Sequence, residues 1–292
     1  MSLKNCTFCG RNCSVDRTKT VGFCGVDRNI KIAKACLHFG EEPCISGISG
    51  SGTIFFSGCS LKCVFCQNFD VSQNVFGKDV TLERLAEIFK ELESLGAHNI
   101  NLVTPTHYLP QIEQALCCYS PKIPIVYNTS GYDNTETIKR AAKFANIFLI
   151  DLKYLSNDRA KKYSNAENYP EIAQKAIKTC IDLFPKAEFN DNRIMQKGVI
   201  IRHLILPQGT EEAKRVIDWV SLNAKEQHFS LMSQYTPFGN IKNFAELNRT
   251  ITKREYEKVI DYLISKKLQN VFVQELSSST EKYIPKFDLS GV

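Results

Sequence analysis

GTIFFSGCSLKCVFCQN (residues 52–68) joins two signals whose order decides the fold. Its first half, GTIFFS, is a short run of β-branched and aromatic residues, the composition of a buried strand. Its second half places Cys59, Cys63 and Cys66 within eight positions, spaced C-x3-C-x2-C. Three thiolates fall one short of the four ligands that close a structural zinc site or saturate an iron–sulfur cluster. If GTIFFS is a strand of a parallel sheet, the cysteines occupy the loop that follows it. That is the end of the sheet where parallel α/β folds carry their chemistry.

Outward from this stretch, short apolar runs alternate with amphipathic ones. Candidate strands are NINLV (99–103), PIVYN (124–128), IFLID (147–151), GVIIRHLIL (198–206), FSLMSQ (229–234) and NVFVQ (270–274). They are continuously apolar rather than alternating, as strands buried on both faces require. Between them lie helical periodicities over residues 81–96, 110–118, 134–144, 169–184, 210–223 and 252–267. In the first of these, Leu82, Leu85, Phe89, Leu92 and Leu95 share a face; Thr81 suits the N-cap and Gly96 the end. Repeated β-α units imply a parallel sheet, doubly wound or curled as a partial barrel. Residues 1–50 are rich in Cys and Gly and lack the alternation. They read as a small metal-held lobe, leaving 51–292 as the barrel.

The chain has 292 residues, 43% of them hydrophobic, enough for one large core. Its net charge of +6 comes from scattered lysines and arginines, which suit a solvated surface rather than a nucleic-acid footprint. No apolar run reaches membrane-spanning length. MSLKNCTFCG has no apolar h-region, so no signal peptide is expected and the expected setting is the cytoplasm.

Seven of the twelve cysteines fall into two tight groups. In a reducing cytosol such clusters bind metal more often than they form disulfides. The second group, Cys6, Cys9, Cys13 and Cys24, is spaced C-x2-C-x3-C-x10-C. Four thiolates satisfy tetrahedral zinc or an auxiliary iron–sulfur cluster, and the glycines after Cys9 and Cys24 suit tight knuckle turns. The remaining cysteines read as ordinary thiols. The three-cysteine loop, taken alone, is compatible with a zinc site completed by a distant ligand, or with a cubane cluster whose fourth iron is left open.

C-x3-C-x-aromatic-C, with Phe65 before the last Cys, resembles the signature of the radical S-adenosylmethionine (radical SAM) superfamily. LHFGEEPCISGISGSGTIFFSGCSLKCVFCQN, INLVTPTHYLPQI, RHLILPQGT and ELNRTITKREY resemble an uncharacterised subgroup of the pyruvate formate-lyase activating enzyme-like branch. The resemblance implies a partial parallel (β/α)6 barrel. It also implies a [4Fe–4S] cluster on Cys59, Cys63 and Cys66, with S-adenosylmethionine chelating the open iron. Reductive cleavage would release methionine and a 5′-deoxyadenosyl radical that abstracts hydrogen. Implied partners are a flavodoxin- or ferredoxin-type electron donor and, for an activase, a glycyl radical enzyme; the chain itself is expected to be a monomer.

Polar residues gather where six consecutive strands end. Thr104, Thr106 and His107 stand where the family's Gly-Gly-Glu turn holds the methionine amino group. Asn128, Thr129 and Ser130, with Asp151 and Lys153, match turns near the methionine carboxylate. Arg202 can pair with a ligand carboxylate bidentately or form a structural ion pair, and Gln234 ends the sixth strand. The substrate stays open between a protein glycine and a small molecule, peptide or RNA. A non-enzymatic electron-transfer protein is the third reading.

Overall fold

The computed structural model describes residues 1–278 and 285–292. The first sheet elements are β1 (Ile30–His38), β2 (Ser51–Phe56), β3 (Lys78–Val80), β4 (Ile100–Val103), β5 (Ile125–Thr129) and β6 (Ile147–Asp151). They are followed by β7 (Glu188–Phe189), β8 (Met195–Leu204), β9 (His228–Met232) and β10 (Val271–Val273). The helices are α1 (Pro43–Ser46), α2 (Phe69–Ser72), α3 (Leu82–Ser94), α4 (Leu109–Cys118) and α5 (Thr135–Ala141). The rest are α6 (Asn157–Ser164), α7 (Tyr169–Leu183), α8 (Thr210–Asn223) and α9 (Lys253–Ser265).

The strands run in the order β10-β9-β8-β6-β5-β4-β2-β1-β3, with β7 beside β8. From β2 to β10 every neighbouring pair on this path is parallel, and among the described residues no pairing joins β10 to β3, so the sheet they form is unclosed. Seven parallel strands take part, one more than the (β/α)6 expectation, because NVFVQ adds β10 to the same sheet. The boundary drawn at residue 50 cuts a hairpin: β1 pairs antiparallel with β2 from Ile32↔Phe56 to His38↔Ser51. IKIAKACLH escapes a search for continuously apolar runs because an antiparallel strand needs only one buried face. The segment that precedes the sheet's first strand is therefore residues 1–29.

Helix boundaries follow their caps. Thr81 accepts a hydrogen bond from Arg84 N at the start of α3, and Thr252 and Glu255 form a reciprocal capping box on α9. One sheet face, carrying Ile54, Leu102, Tyr127, Phe148, Ile150, Val199 and Ile201, is buried with residues of α3, α4, α7 and α8. The opposite face has a different cover. There Cys44 and Ile45 of α1 pack on Val126, Ile147, Leu149, Met195 and Ile200. The β1–β2 loop thus plugs the inner face, and above this apolar layer the same strands turn polar.

Candidate active site at the strand ends

The cysteine loop leaves β2 through Gly58, at φ +86°, where a Cβ would stand 2.7 Å from the Cys24 carbonyl oxygen. Only glycine admits that approach cheaply. It lets Cys59 N donate to Cys24 O at 3.2 Å. Cys59, Cys63 and Cys66 then line one cavity of about 220 Å³ together with Thr104, Asn128, Thr129, Ser130, Asp151, Lys153, Arg202 and Gln234. Burial pushes the Cys63 thiol up to about 12, with Lys153 opposing, and raises Cys66 for the same reason. Cys63 Sγ also lies 3.0 Å from Ser164 Oγ. Such thiols become thiolates only when a cation replaces the water they have lost.

The floor of the cavity is a network of charges. Arg202 donates from Nε to Asp151 Oδ1 at 2.9 Å, from Nη1 to Glu41 Oε2 at 3.1 Å, and from Nη2 to Asn128 Oδ1 at 2.6 Å. Lys153 Nζ donates to the other Asp151 oxygen. Burial pushes the Asp151 carboxyl up, but Lys153 and Arg202 outweigh it and hold the group below its ordinary range. Lys153 is likewise raised: burial lowers it and the Asp151 charge more than compensates. Leu152, between them, is fully buried in the opposite core, as the period of two along a strand requires.

Glu41 is the member that the sequence reading missed. It comes from the β1–β2 plug, and its Oε1 accepts from Asn101 Nδ2 at 2.9 Å and Asn128 Nδ2 at 3.1 Å. Two adjacent acids between Gly40 and Pro43, just before the buried PCIS turn, were the available signal.

The other expected residues divide. Thr104 lines the cavity with φ +59°, a conformation unfavourable for a β-branched residue. Thr129 Oγ1 donates to Asp133 and accepts from Gly131 N at 3.2 Å, and the Ser130 carbonyl accepts from Tyr169 OH. Both thus also close their turn. Gln234 Oε1 accepts from Gln274 Nε2 at 3.0 Å. Thr106 and His107 do not line this cavity, because the 3-10 turn Thr106–Tyr108 carries them to the other side of the loop. There His107 Nε2 meets Ser57 O at 2.9 Å and Nδ1 has no partner; burial and nearby Arg17 lower its pKa to about 3.

That other side holds the second cysteine group. Cys6, Cys9, Cys13 and Cys24 line one small cavity of about 10 Å³ with Thr106 and His107. Gly25, at φ +87°, makes the turn after Cys24. Fully buried Arg17 staples this segment down by donating to the carbonyls of Val26, Asp27 and His107. Among the described residues, no three His, Cys, Asp or Glu side chains gather around a point that a single ion could occupy. No helix among them is long and apolar enough to cross a membrane.

A sequence profile of the Radical SAM superfamily matches residues 53–220. The chain is 31% identical over 267 residues to an uncharacterized protein of Methanocaldococcus jannaschii, covering 88% of this chain and 74% of that one. It is 26% identical over 236 residues to a pyruvate formate-lyase-activating enzyme of Clostridium pasteurianum, covering 76% and 90%. In structure it resembles Streptococcus suis SuiB, with a TM-score of 0.52 at 18% identity. That match covers 77% of this chain, which spans about half of SuiB's length (48%), and speaks for the fold alone.

Proposed function

Because the chain belongs to the radical SAM superfamily, whose chemistry rests on an iron–sulfur cluster and S-adenosylmethionine, we propose that it binds both in the 220 Å³ cavity. When bound, the pair supplies a one-electron cleavage that yields a 5′-deoxyadenosyl radical able to take a hydrogen atom from a substrate. The observation that carries this reading is the shared cavity. Three soft thiols from one short loop face Asp151, Lys153, Arg202 and Asn128 across it. The donor set fits the group: thiolates suit iron, while paired acids and bases suit an amino acid's ammonium and carboxylate. In this assignment Cys59, Cys63 and Cys66 hold the cluster. Asp151, Lys153, Arg202 and Asn128 orient the methionine end, and Thr104, Thr129, Ser130 and Gln234 complete the wall.

For Cys6, Cys9, Cys13 and Cys24 we propose a structural metal. Four thiols with no open position are the set that closes a tetrahedral zinc site, which favours zinc, and binding would draw the four sulfurs together from the spacing seen here. We assign the protein to the cytoplasm with a flavodoxin- or ferredoxin-type electron donor.

The substrate has two readings. The extent of the match to the Clostridium pasteurianum enzyme supports an activase acting on a glycine of a glycyl radical enzyme. A chamber of mixed polar and apolar walls beside the cofactor cavity supports a small molecule. The test is anaerobic: candidates labelled with deuterium are offered with S-adenosylmethionine and reductant, and label is sought in 5′-deoxyadenosine. Label from a glycine-deuterated partner protein establishes the activase; label from a small molecule establishes the alternative.

A further inference from the structure

Beside the cofactor cavity lies a chamber of about 330 Å³. Its walls are the plug residues Glu41, Glu42 and Pro43, Ser230 of β9, and Val271 to Gln274 of β10 and its end. It shares Arg202, Met232 and Gln234 with the cofactor cavity, so a molecule inside it adjoins bound S-adenosylmethionine. Among its walls Glu42 is the anomaly. It is only 8% exposed, and its Oε2 has no hydrogen-bond partner. Glu41, by contrast, is fully engaged by Asn101, Asn128 and Arg202. A buried carboxylate with an idle oxygen is unfavourable unless a cation or a proton neutralises it.

The charge balance favours a cation as the chamber's ligand. Glu41, Glu42 and Asp151 bring three acids to this interior, and Lys153 and Arg202 bring two bases. One negative charge is left over when Glu42 is ionised. We propose that the chamber receives the ammonium end of a small-molecule substrate, held by the Glu42 carboxylate beside Ser230. This rests on the small-molecule reading above and gives it a chemical class: a primary amine or amino compound whose remaining carbons reach the cofactor cavity. Val271, Phe272, Val273 and Pro43 supply the apolar wall for those carbons.

The arrangement predicts a pH signature. Burial pushes Glu42 above the usual carboxylate range, with Arg202 opposing and Glu41 reinforcing. The other titratable groups facing it are Cys44 on its own loop and Arg202 on β8; β9 and β10 contribute uncharged side chains to the chamber. An ammonium ion binds the ionised form, so its affinity rises with pH through the raised Glu42 value and then levels off.

The test uses reconstituted protein saturated with S-adenosylmethionine and follows thermal stability and calorimetric binding. The probe is n-butylammonium; neutral 1-butanol and anionic butyrate are the controls. Wild type should be stabilised by the amine alone, and Glu42→Gln should bind it at least tenfold more weakly, without the pH dependence. Val273→Trp fills the chamber from a half-exposed position and should also abolish binding, which decides the matter if Glu42→Gln does not fold. No amine effect in wild type overturns the proposal. So does equal binding in the folded variants, or competition of the amine with S-adenosylmethionine. Failure of the radical SAM assignment itself would show differently, as no 5′-deoxyadenosine from reduced wild type.

Discussion

Two cysteine sites lie back to back across one loop, and they differ in number and in room. The Cys59–Cys63–Cys66 loop offers three thiols to a cavity of about 220 Å³ that also holds acids, bases and amides. The Cys6–Cys9–Cys13–Cys24 segment offers four thiols to about 10 Å³, with Arg17 and His107 packed around it. On the assignment proposed above, the complete ligand set would serve folding and the incomplete set beside a polar cavity would serve chemistry. The two are also joined. Cys59 N donates to Cys24 O, and Arg11 Nε donates to Ser60 O at 2.8 Å. The four-cysteine segment therefore holds the three-cysteine loop in shape.

The sharpest way to break this contrast is to remove one ligand from each site. Cys59→Ala or Cys66→Ala should lose essentially all cluster iron while keeping the circular dichroism and melting temperature of the apoprotein. A variant that retains its iron would erase the distinction.

Cys9→Ser should do the reverse. Structural zinc couples binding to folding with apparent energies of about 10 kcal/mol in small peptides. A fall in melting temperature on the order of 10 °C, or loss of soluble protein, is expected, with zinc absent and any residual protein still loading its cluster. A fully stable Cys9→Ser variant would remove the structural role.

A smaller effect separates cofactor binding from bracing at the cavity floor. Lys153→Ala deletes one charged hydrogen bond, worth about 1.5–3 kcal/mol, so S-adenosylmethionine should bind roughly ten- to a hundredfold more weakly with the cluster absorbance intact. Unchanged affinity, read by anaerobic titration, would make Asp151 and Lys153 purely structural. The pair also sets a pH response. Asp151 is depressed in the folded state, so its contribution is present above the ordinary carboxylate value and is lost as pH falls through the depressed one. An acid melt of Lys153→Ala should therefore begin at higher pH than that of wild type.

The smallest effect lies at Thr104. Its left-handed backbone costs a β-branched residue about 1–3 kcal/mol. Thr104→Gly, less its greater unfolded-chain entropy, should gain about 1 kcal/mol, or roughly 2–4 °C in melting temperature. A loss of stability would show that the Thr104 side chain makes contacts outweighing the strain.

The parallel sheet was legible because each strand is a continuous apolar run, and the three-cysteine loop because its spacing is local. What could not be read depended on the plug and the turns. β1 has one buried face, and Glu41 reaches Arg202 across 161 positions of chain only because the β1–β2 loop folds under the sheet. Thr106 and His107 follow the same strand as Thr104, yet the 3-10 turn after Pro105 sends them to the four-cysteine side. Strand-end position predicts which loop a residue joins, while the turn geometry decides which cavity it enters.

The most direct measurement of the central claim is the yield of 5′-deoxyadenosine from reduced protein given S-adenosylmethionine, compared between wild type, Cys63→Ala and the soluble fraction of Cys9→Ser. Wild type should form it, Cys63→Ala should form none, and Cys9→Ser should match wild type per loaded cluster. Product from Cys63→Ala, or its absence from Cys9→Ser with the cluster loaded, would contradict the division of labour between the two sites.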